Sequence, residues 1–198
     1  MTMANFSTLD RRAAVKSLLR DRKDLLVVTG LGSPTYDVFA AGEHPGNFYL
    51  WGAMGGAAMV GLGLALAQPK RPVLVLTGDG EQLMGLGNLL TVAVSKPTNL
   101  TIAVLDNGHF GETGMQLSHS GYGAKLEQIA EGAGFKSVHK ISDLAGIDAY
   151  RPRLQDLTRG PHFVKINIAP GNPPRALPPR DGSYVKNRFR QNLDLPVN

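Results

Sequence analysis

The sequence contains no cysteine among its 198 residues. Disulfide bonds, thiolate zinc sites and cysteine-ligated iron–sulfur clusters are therefore excluded as features of this chain. Charged residues make up only 19% of the sequence, and the net charge is +5. The basic residues form no stripe with interleaved aromatic residues, which argues against nucleic acid as a partner. A mildly basic chain suits an anionic cofactor better.

Long apolar runs are also missing. The longest apolar region, 51–67, is rich in glycine and alanine and is short for a membrane span. The opening "MTMANFSTLDRRAAVK" lacks the apolar core of a secretory signal. We therefore expect a soluble, cytoplasmic protein with no membrane partner.

Glycine, by contrast, is plentiful at 24 residues, and strand-like and helix-like segments alternate along the chain. Strands are predicted at 25–30, 47–50, 71–78, 99–108, 136–141 and 161–170. Helices are predicted from Ser7 or Thr8 to about Arg22, from an N-cap at Ser33, and at 53–68, 81–96, 124–135 and 142–159. This alternation predicts an α/β fold with an open, mainly parallel sheet and helices on both faces.

The last part of the chain has a different composition. Residues 170–198 are rich in proline and are predicted to be irregular, so we divide the chain into a domain at 1–169 and a C-terminal arm at 170–198. Disorder is one interpretation of the arm. An arm that crosses a partner subunit is the other, because Tyr184 and Phe189 are poor choices for a free tail.

Three predicted strands end in unusual turns: Thr29-Gly30, Gly78-Asp79-Gly80 and Asp106-Asn107-Gly108. In an open parallel sheet, ligands bind beyond the carboxyl ends of the strands, so these turns should share one rim. Asp79 and Asn107 supply the oxygen ligands that Mg²⁺ prefers, and diphosphate oxygens could complete the set. Gly80 would let the backbone and the following helix approach a phosphate. Each tripeptide alone is a common turn, whereas the combination is more specific.

The combination resembles the thiamin diphosphate-binding motif, in which Gly-Asp-Gly is followed at a fixed interval by an Asn pair. Asp106 stands here in place of the first Asn. The resemblance covers roughly 25–168 and is greatest to the phosphonopyruvate and sulfopyruvate decarboxylases, through "TGLGSPTYDVF", "FYLWGAMG", "GDGEQLMGLG" and "LDNGHFGETGMQ". It implies that Asp79 and Asn107 bind Mg²⁺ through their side chains and His109 through its backbone carbonyl.

The resemblance also implies roles around the cofactor. The carbonyl of Gly52 would accept a hydrogen bond from the aminopyrimidine, and Met54 would hold the cofactor bent by standing between its rings. These two are the residues expected to act in catalysis. The full set expected to bind the cofactor is Thr29, Gly30, Ser33, Gly52, Met54, Gly78, Asp79, Gly80, Glu81, Asn107, His109, Phe110 and Gly111. Glu81 stands at a position where the family usually has a small residue. We interpret it as a glutamate in the first turn of the helix that faces outward.

In this family the glutamate that activates the cofactor lies on a separate pyrimidine-binding domain. The chain has room for one α/β unit, which matches the diphosphate-binding one. The resemblance therefore implies a split enzyme: a hetero-oligomer (αβ)n in which a pyrimidine-binding α subunit supplies the glutamate and a small 2-oxo acid is decarboxylated. Glu112, Gln116 and His119 are candidates to touch or cover the substrate, and a solvated loop is the alternative.

Other functions remain open. A carboligase of the acetolactate synthase type would share every motif, and a non-catalytic or regulatory cofactor-binding subunit is a further alternative. The β subunit of a 2-oxo acid:ferredoxin oxidoreductase often needs cluster cysteines, which this chain lacks. The decarboxylases have an Arg-Glu-Leu-Phe run where this chain has "PTYDVF", so the sulfonate and phosphonate substrates are less favoured. A Rossmann-type dinucleotide-binding protein is a weaker alternative, since no Gly-x-Gly-x-x-Gly motif follows the first strand.

Overall fold

The predicted alternation of strands and helices is present in the computed structural model, which describes residues 7–197. The first six residues of the predicted domain therefore lie outside the described part. The strands are β1 (Leu26–Thr29), β2 (Asn47–Tyr49), β3 (Val73–Gly78), β4 (Leu100–Asp106), β5 (His109–Phe110), β6 (Gln116–Leu117), β7 (Ser137–Ile141) and β8 (His162–Asn167). The helices are α1 (Arg11–Leu18), α2 (Ser33–Ala40), α3 (Ala57–Ala67), α4 (Asp79–Met84), α5 (Asn88–Ser95), α6 (Leu126–Ala133), α7 (Leu144–Tyr150) and α8 (Gly182–Asn192).

Six strands form one sheet in the order β2-β1-β3-β4-β8-β7, and every neighbouring pair in it is parallel. Helices α1, α2 and α7 cover one face, while α3, α5, α6 and α8 cover the other. Because both faces are covered, the central strands β1, β3 and β4 are mainly apolar runs rather than alternating ones. The predicted α/β fold is confirmed. The short strands β5 and β6 form a separate antiparallel hairpin after β4.

Several predicted boundaries were wrong. Helix α1 begins later than expected, because Asp10, rather than Ser7 or Thr8, accepts the hydrogen bond from Ala13 N, and it ends at Leu18. At α2, Gly32 occupies the N-cap position and Ser33 is already helical.

The single helix predicted at 81–96 is two helices, α4 and α5, separated by residues 85–87. Gly85 packs so closely on Gly55 that a Cβ at position 85 would lie 2.2 Å from the Gly55 carbonyl oxygen. This contact between distant parts of the chain explains the interruption, which local helix propensity does not show.

The C-terminal arm is not irregular throughout. It contains α8, whose N-cap Asp181 accepts hydrogen bonds from the amides of Ser183 and Tyr184. Val185 and Phe189 are buried, and the Phe189 ring lies edge-on to Phe48 with the ring centres 5.5 Å apart. The arm thus folds onto its own chain, an arrangement that composition alone did not suggest.

The stretch before α8 also contacts the chain itself. Arg12 of α1 donates a hydrogen bond to the carbonyl oxygen of Pro174, and the indole nitrogen of Trp51 donates to Pro179 O at 2.8 Å. Within residues 7–197, no helix is long and apolar enough to cross a bilayer.

Two glycines of α3 differ sharply in their surroundings. A Cβ at Gly61 would lie 2.1 Å from Val75 Cγ2 in β3, whereas a Cβ at Gly63 would meet nothing within 4 Å. We expect Gly61→Ala to destabilise the fold by about 1–3 kcal/mol through overpacking. Gly63→Ala should stabilise it by up to about 1 kcal/mol, because alanine favours a helix. Urea unfolding of both variants measures the difference, and equal shifts would contradict the proposed close packing of α3.

Candidate active site

The three glycine-containing turns lie at one rim of the sheet. Strands β1, β3 and β4 are adjacent and parallel, with Thr29 paired to Leu76 and Gly78 paired to Leu105. Asp79 and Asn107 therefore leave neighbouring strands in the same direction, as the sequence predicts.

A cavity of about 170 Å³ opens at this rim. Ten of the predicted site residues line it: Ser33, Met54, Gly78, Asp79, Gly80, Glu81, Asn107, His109, Phe110 and Gly111. Leu31, Pro34 and Arg11 also line the cavity. The structure thus brings most of the predicted residues together around one space.

Three predicted residues lie outside the cavity lining. Thr29 is completely buried, and its hydroxyl is 2.6 Å from that of Thr35, which donates to the carbonyl oxygen of Gly30. Gly30 and its carbonyl thus close the turn before α2. Gly52 is exposed, and a Cβ there would meet nothing within 4 Å.

Asp79 is the most buried acid of the rim, with 2% of its surface exposed. Its Oδ2 accepts hydrogen bonds from the hydroxyls of Ser118 and Ser120, at 2.5 and 2.7 Å. Burial raises the pKa of Asp79, and the Ser118 hydrogen bond acts in the opposite direction. Neither serine was predicted as a site residue, because the turn after β6 brings them to Asp79 across about 40 residues of chain.

Asp106 continues the same polar network. Its Oδ1 accepts a hydrogen bond from the amide of Gly108 at 3.0 Å and lies 2.7 Å from Ser120 Oγ, whose single proton can bond either this oxygen or Asp79 Oδ2. The buried Lys165 of β8 lies 3.4 Å from Asp106 Oδ2 and 2.9 Å from Glu127 Oε2. Burial works to raise the pKa of Glu127, but the hydrogen bond from Lys165 and nearby positive charge lower it on balance.

The charges of this network do not balance. The carboxylates of Asp79, Asp106 and Glu127 would carry three negative charges. The buried Lys165 and the exposed Lys140, whose Nζ is 4.0 Å from Glu127 Oε1, supply two positive charges. A divalent cation at Asp79 would offset the remaining negative charge. The cluster therefore fits a hard cation by its oxygen donors and by its charge.

Asn107 and His109 lie beside Asp79 at the cavity wall. Asn107 Oδ1 accepts from the amide of His109 at 2.9 Å, and the His109 ring nitrogen Nδ1 is 2.7 Å from Asn107 O. Within residues 7–197 no group of three His, Cys, Asp or Glu side chains is placed to hold a metal. The predicted ligand set instead combines one carboxylate with an amide oxygen and a backbone carbonyl.

The prediction that Glu81 faces outward was wrong. Only 4% of its surface is exposed, and its carboxylate accepts from Thr77 Oγ1 at 2.8 Å and from the amide of Gly55 at 3.3 Å. Burial raises the pKa of Glu81, while these bonds and the amides of Leu31 and Ala57 favour its charged form. The amide donors lie in distant parts of the chain, so the position of Glu81 in sequence could not reveal them.

The loop after β4 forms one side of the cavity. The Phe110 ring lies against Gly80, where a Cβ would be 2.5 Å from Phe110 Cε1. Asn172 of the C-terminal arm donates to the carbonyl oxygen of Gly111 at 2.8 Å. In this structure, therefore, Gly80 makes room for an aromatic ring.

The substrate candidates of this loop differ in position. Glu112 lines the cavity mouth, where it forms an ion pair with Arg175 of the arm at 2.7 Å and accepts from Ser33 at 3.2 Å. Gln116 is exposed and bonded to Thr113, and His119 is exposed. Of the three, Glu112 is the one that lines the cavity.

Comparison with known proteins shows which family this chain resembles. The profile of the family described as thiamine pyrophosphate enzyme, C-terminal TPP binding domain, matches residues 34–166. The chain is 35% identical over 181 residues to the sulfopyruvate decarboxylase subunit beta of Methanothermobacter thermautotrophicus, covering 91% of this chain and 94% of that subunit.

A second relative is longer than this chain. The phosphonopyruvate decarboxylase of Streptomyces viridochromogenes is 38% identical over 193 residues, which are 94% of this chain and 47% of that enzyme. A solved structure from Mycobacterium smegmatis, described as a thiamin diphosphate-dependent enzyme, has a TM-score of 0.70. It is 23% identical and covers 82% of this chain and 32% of that one, so it supports the fold alone.

Lys165 allows a test of the buried charge network. We expect Lys165→Met to destabilise the fold by about 3–5 kcal/mol at neutral pH, because Asp106 would remain buried without a cation and the partly buried Glu127 would lose its nearer one. The Glu127 pKa is depressed in the folded state, so the stability it contributes is present above its usual pKa of 4.5 and is lost as pH falls through the folded value. The difference between variant and wild type should therefore shrink on acidification.

Urea unfolding of both proteins at neutral and acidic pH measures this effect. The control is Arg20→Met, which removes an exposed ion pair to Asp148 at 2.9 Å and should cost no more than about 1 kcal/mol. A Lys165→Met protein as stable as the control at neutral pH would show that the network carries no buried charge.

Proposed function

We propose a function from one premise: this chain belongs to the thiamine pyrophosphate enzymes, through their C-terminal cofactor-binding domain. It is the diphosphate-binding subunit of a split 2-oxo acid decarboxylase, a lyase that acts on a small 2-oxo acid. The names of the sulfopyruvate and phosphonopyruvate decarboxylases similar to it support this reaction class. Sulfopyruvate, phosphonopyruvate or a chemically related 2-oxo acid is the proposed substrate.

The observation that carries the proposal is the uncompensated negative charge at the rim of the sheet. Asp79 is buried beside Asn107, and the acids of its network exceed the positive charge of Lys165. A Mg²⁺ ion that also holds a diphosphate would complete this environment. The same acids without a cation would repel a diphosphate.

Each residue has a proposed part in that complex. The Asp79 carboxylate, the Asn107 amide oxygen and the His109 carbonyl would hold Mg²⁺, while Ser118 and Ser120 orient the Asp79 carboxylate by hydrogen bonding to it. Thiamin diphosphate supplies an electron sink for the loss of CO₂.

Other side chains would shape the cavity around the cofactor. Met54 projects into the cavity, where its apolar side chain would support the rings of the cofactor. The apolar side chains of Phe110 and Leu31 also line the cavity and would exclude water from the reacting region. The exposed Gly52 carbonyl is the proposed acceptor for the aminopyrimidine, a contact that would form in the assembled enzyme.

The name of a relative supports a partner subunit. The chain is similar to nearly the whole of a sulfopyruvate decarboxylase named as a subunit beta, and to about half of a phosphonopyruvate decarboxylase. The proposed partner, a pyrimidine-binding α subunit, would correspond to the other half and would bring the activating glutamate. A hetero-oligomer of both chains follows.

An exposed apolar surface on α3, α4 and α5 supports the same partner. These helices leave large apolar side chains exposed, and Met84 and Val94 are 69% and 80% exposed. The exposed apolar residues of this surface are Met59, Val60, Leu66, Met84, Leu90 and Val94. A surface of this kind on a folded domain is typical of a protein interface.

Asp79→Ala tests the proposed function. Calorimetry of the copurified complex with thiamin diphosphate and Mg²⁺ should show a loss of affinity of at least about 100-fold, because a metal ligand is removed. Asp143→Ala is the control, since it removes an exposed carboxylate that caps α7 after the edge strand β7, with β4 and β8 between it and β3. Urea unfolding checks that both variants fold. An Asp79→Ala complex with wild-type affinity would contradict the assignment of Asp79 as a ligand.

A further inference from the structure

The turn that carries Met54 has a strained backbone. Ala53 adopts a φ of +53°, a left-handed conformation that a residue with a Cβ rarely takes, and Gly55 has a φ of +90°. Strained residues of this kind persist only where the surrounding structure holds them. The contacts that hold this turn therefore decide where Met54 stands in the cavity.

Helix α4 and its neighbours supply those contacts. The side-chain amide of Asn88 donates to the Gly55 carbonyl oxygen at 2.6 Å, and Gly85 packs directly on Gly55. Glu81 holds the other side of the turn, because its Oε1 accepts from the Gly55 amide and its carboxylate also faces the amide of Ala57.

Glu81 reaches a second turn at the same time. The amide of Leu31, in the turn between β1 and α2, also stabilises its carboxylate, and Thr77 Oγ1 donates to its Oε2 at 2.8 Å. The Gly55 amide and the Thr77 hydroxyl thus donate to Glu81, and the amides of Leu31 and Ala57 also favour its charged form. A carboxylate has two oxygens with about four acceptor positions, whereas the side chain of glutamine offers one oxygen.

Gly30 leaves the space that Glu81 occupies. A Cβ at position 30 would lie 1.6 Å from Glu81 Oε2 and 2.6 Å from its Cδ, so a side chain there and the carboxylate in its present position exclude each other. The Gly30 carbonyl is meanwhile held from the opposite side by Thr35 Oγ1 at 2.6 Å. Gly30 and Glu81 therefore act as a matched pair.

We propose that Glu81 is a positioning residue whose carboxylate ties the Leu31 turn and the Gly55–Ala57 turn to the end of β3, with Gly30 as its required steric partner. Through these bonds Glu81 fixes the Met54 side chain at the cavity. The value of that position for a cofactor depends on the proposed function. The bonds themselves do not depend on it.

Amide hydrogen exchange on the chain without cofactor tests the bonds directly. Glu81→Ala should speed exchange at Leu31, Gly55 and Ala57 by about tenfold or more, the effect expected when a hydrogen bond to a charged group is lost. Glu81→Gln should retain more protection at Gly55 than Glu81→Ala, because its oxygen can still accept there. If Glu81→Ala does not fold, the Glu81→Gln variant is used for the test instead.

Gln82→Ala is the matched control for this experiment. Gln82 is 3% exposed on the same helix, and its side chain bonds only weakly to the Gly85 carbonyl oxygen at 3.3 Å. It should leave exchange at Leu31, Gly55 and Ala57 unchanged. If neither Glu81 variant speeds exchange at these amides beyond the Gln82→Ala protein, the proposal is overturned.

A double-mutant cycle tests the steric pairing. Gly30→Ala alone should expel the carboxylate and speed exchange at Gly55 and Ala57 about as much as Glu81→Ala does. In the Glu81→Ala background the same change should add little, since Thr77 Oγ1, 2.8 Å from the new Cβ, is then free to rotate. Equal effects of Gly30→Ala in both backgrounds would contradict the pairing.

These measurements are independent of the Asp79 calorimetry. Exchange on the cofactor-free chain judges Glu81 and Gly30 alone, whereas cofactor affinity in the complex judges the proposed function.

Discussion

Negative charge buried at the ends of β3 and β4 is the constraint on which this site depends. A buried carboxylate is costly unless hydrogen bonds and positive charge offset it. Ser118 and Ser120 provide hydrogen bonds to Asp79, and Lys165 provides positive charge to Asp106 and Glu127. These partners leave Asp79 without a cation of its own. The proposed Mg²⁺ ion would offset this charge, and the loop after β4 lines the same cavity.

Glu81 shows a second way to bury an acid in the same cavity. Its partners are backbone amides and the Thr77 hydroxyl rather than a cation. The two acids therefore have different roles. Asp79 faces the place proposed for a metal, and Glu81 fixes the turns that shape the cavity. Because the amides belong to two different turns, the loss of Glu81 would affect both walls at once.

The sequence predicts the parts of this arrangement that depend on local pattern. Apolar runs interrupted by glycine indicate the parallel sheet, and the turns at Asp79 and Asn107 fall at strand ends that the sheet brings together. Features that depend on distant contacts were missed. The break between α4 and α5 arises where Gly85 meets Gly55, and Ser118 reaches Asp79 only after the hairpin turns back. Lys165 was detectable, since a lysine within an apolar strand needs buried acids as partners.

The cofactor would be anchored on this chain, while the group that makes it reactive would come from another. The exposed apolar surface of α3, α4 and α5 is consistent with a site completed by assembly. The most direct test is CO₂ release from small 2-oxo acids, with thiamin diphosphate and Mg²⁺ present, by the purified chain and by the complex with its copurifying partner. Release by the complex and none by the chain alone is the predicted result. Sustained release by the chain alone would contradict a divided active site.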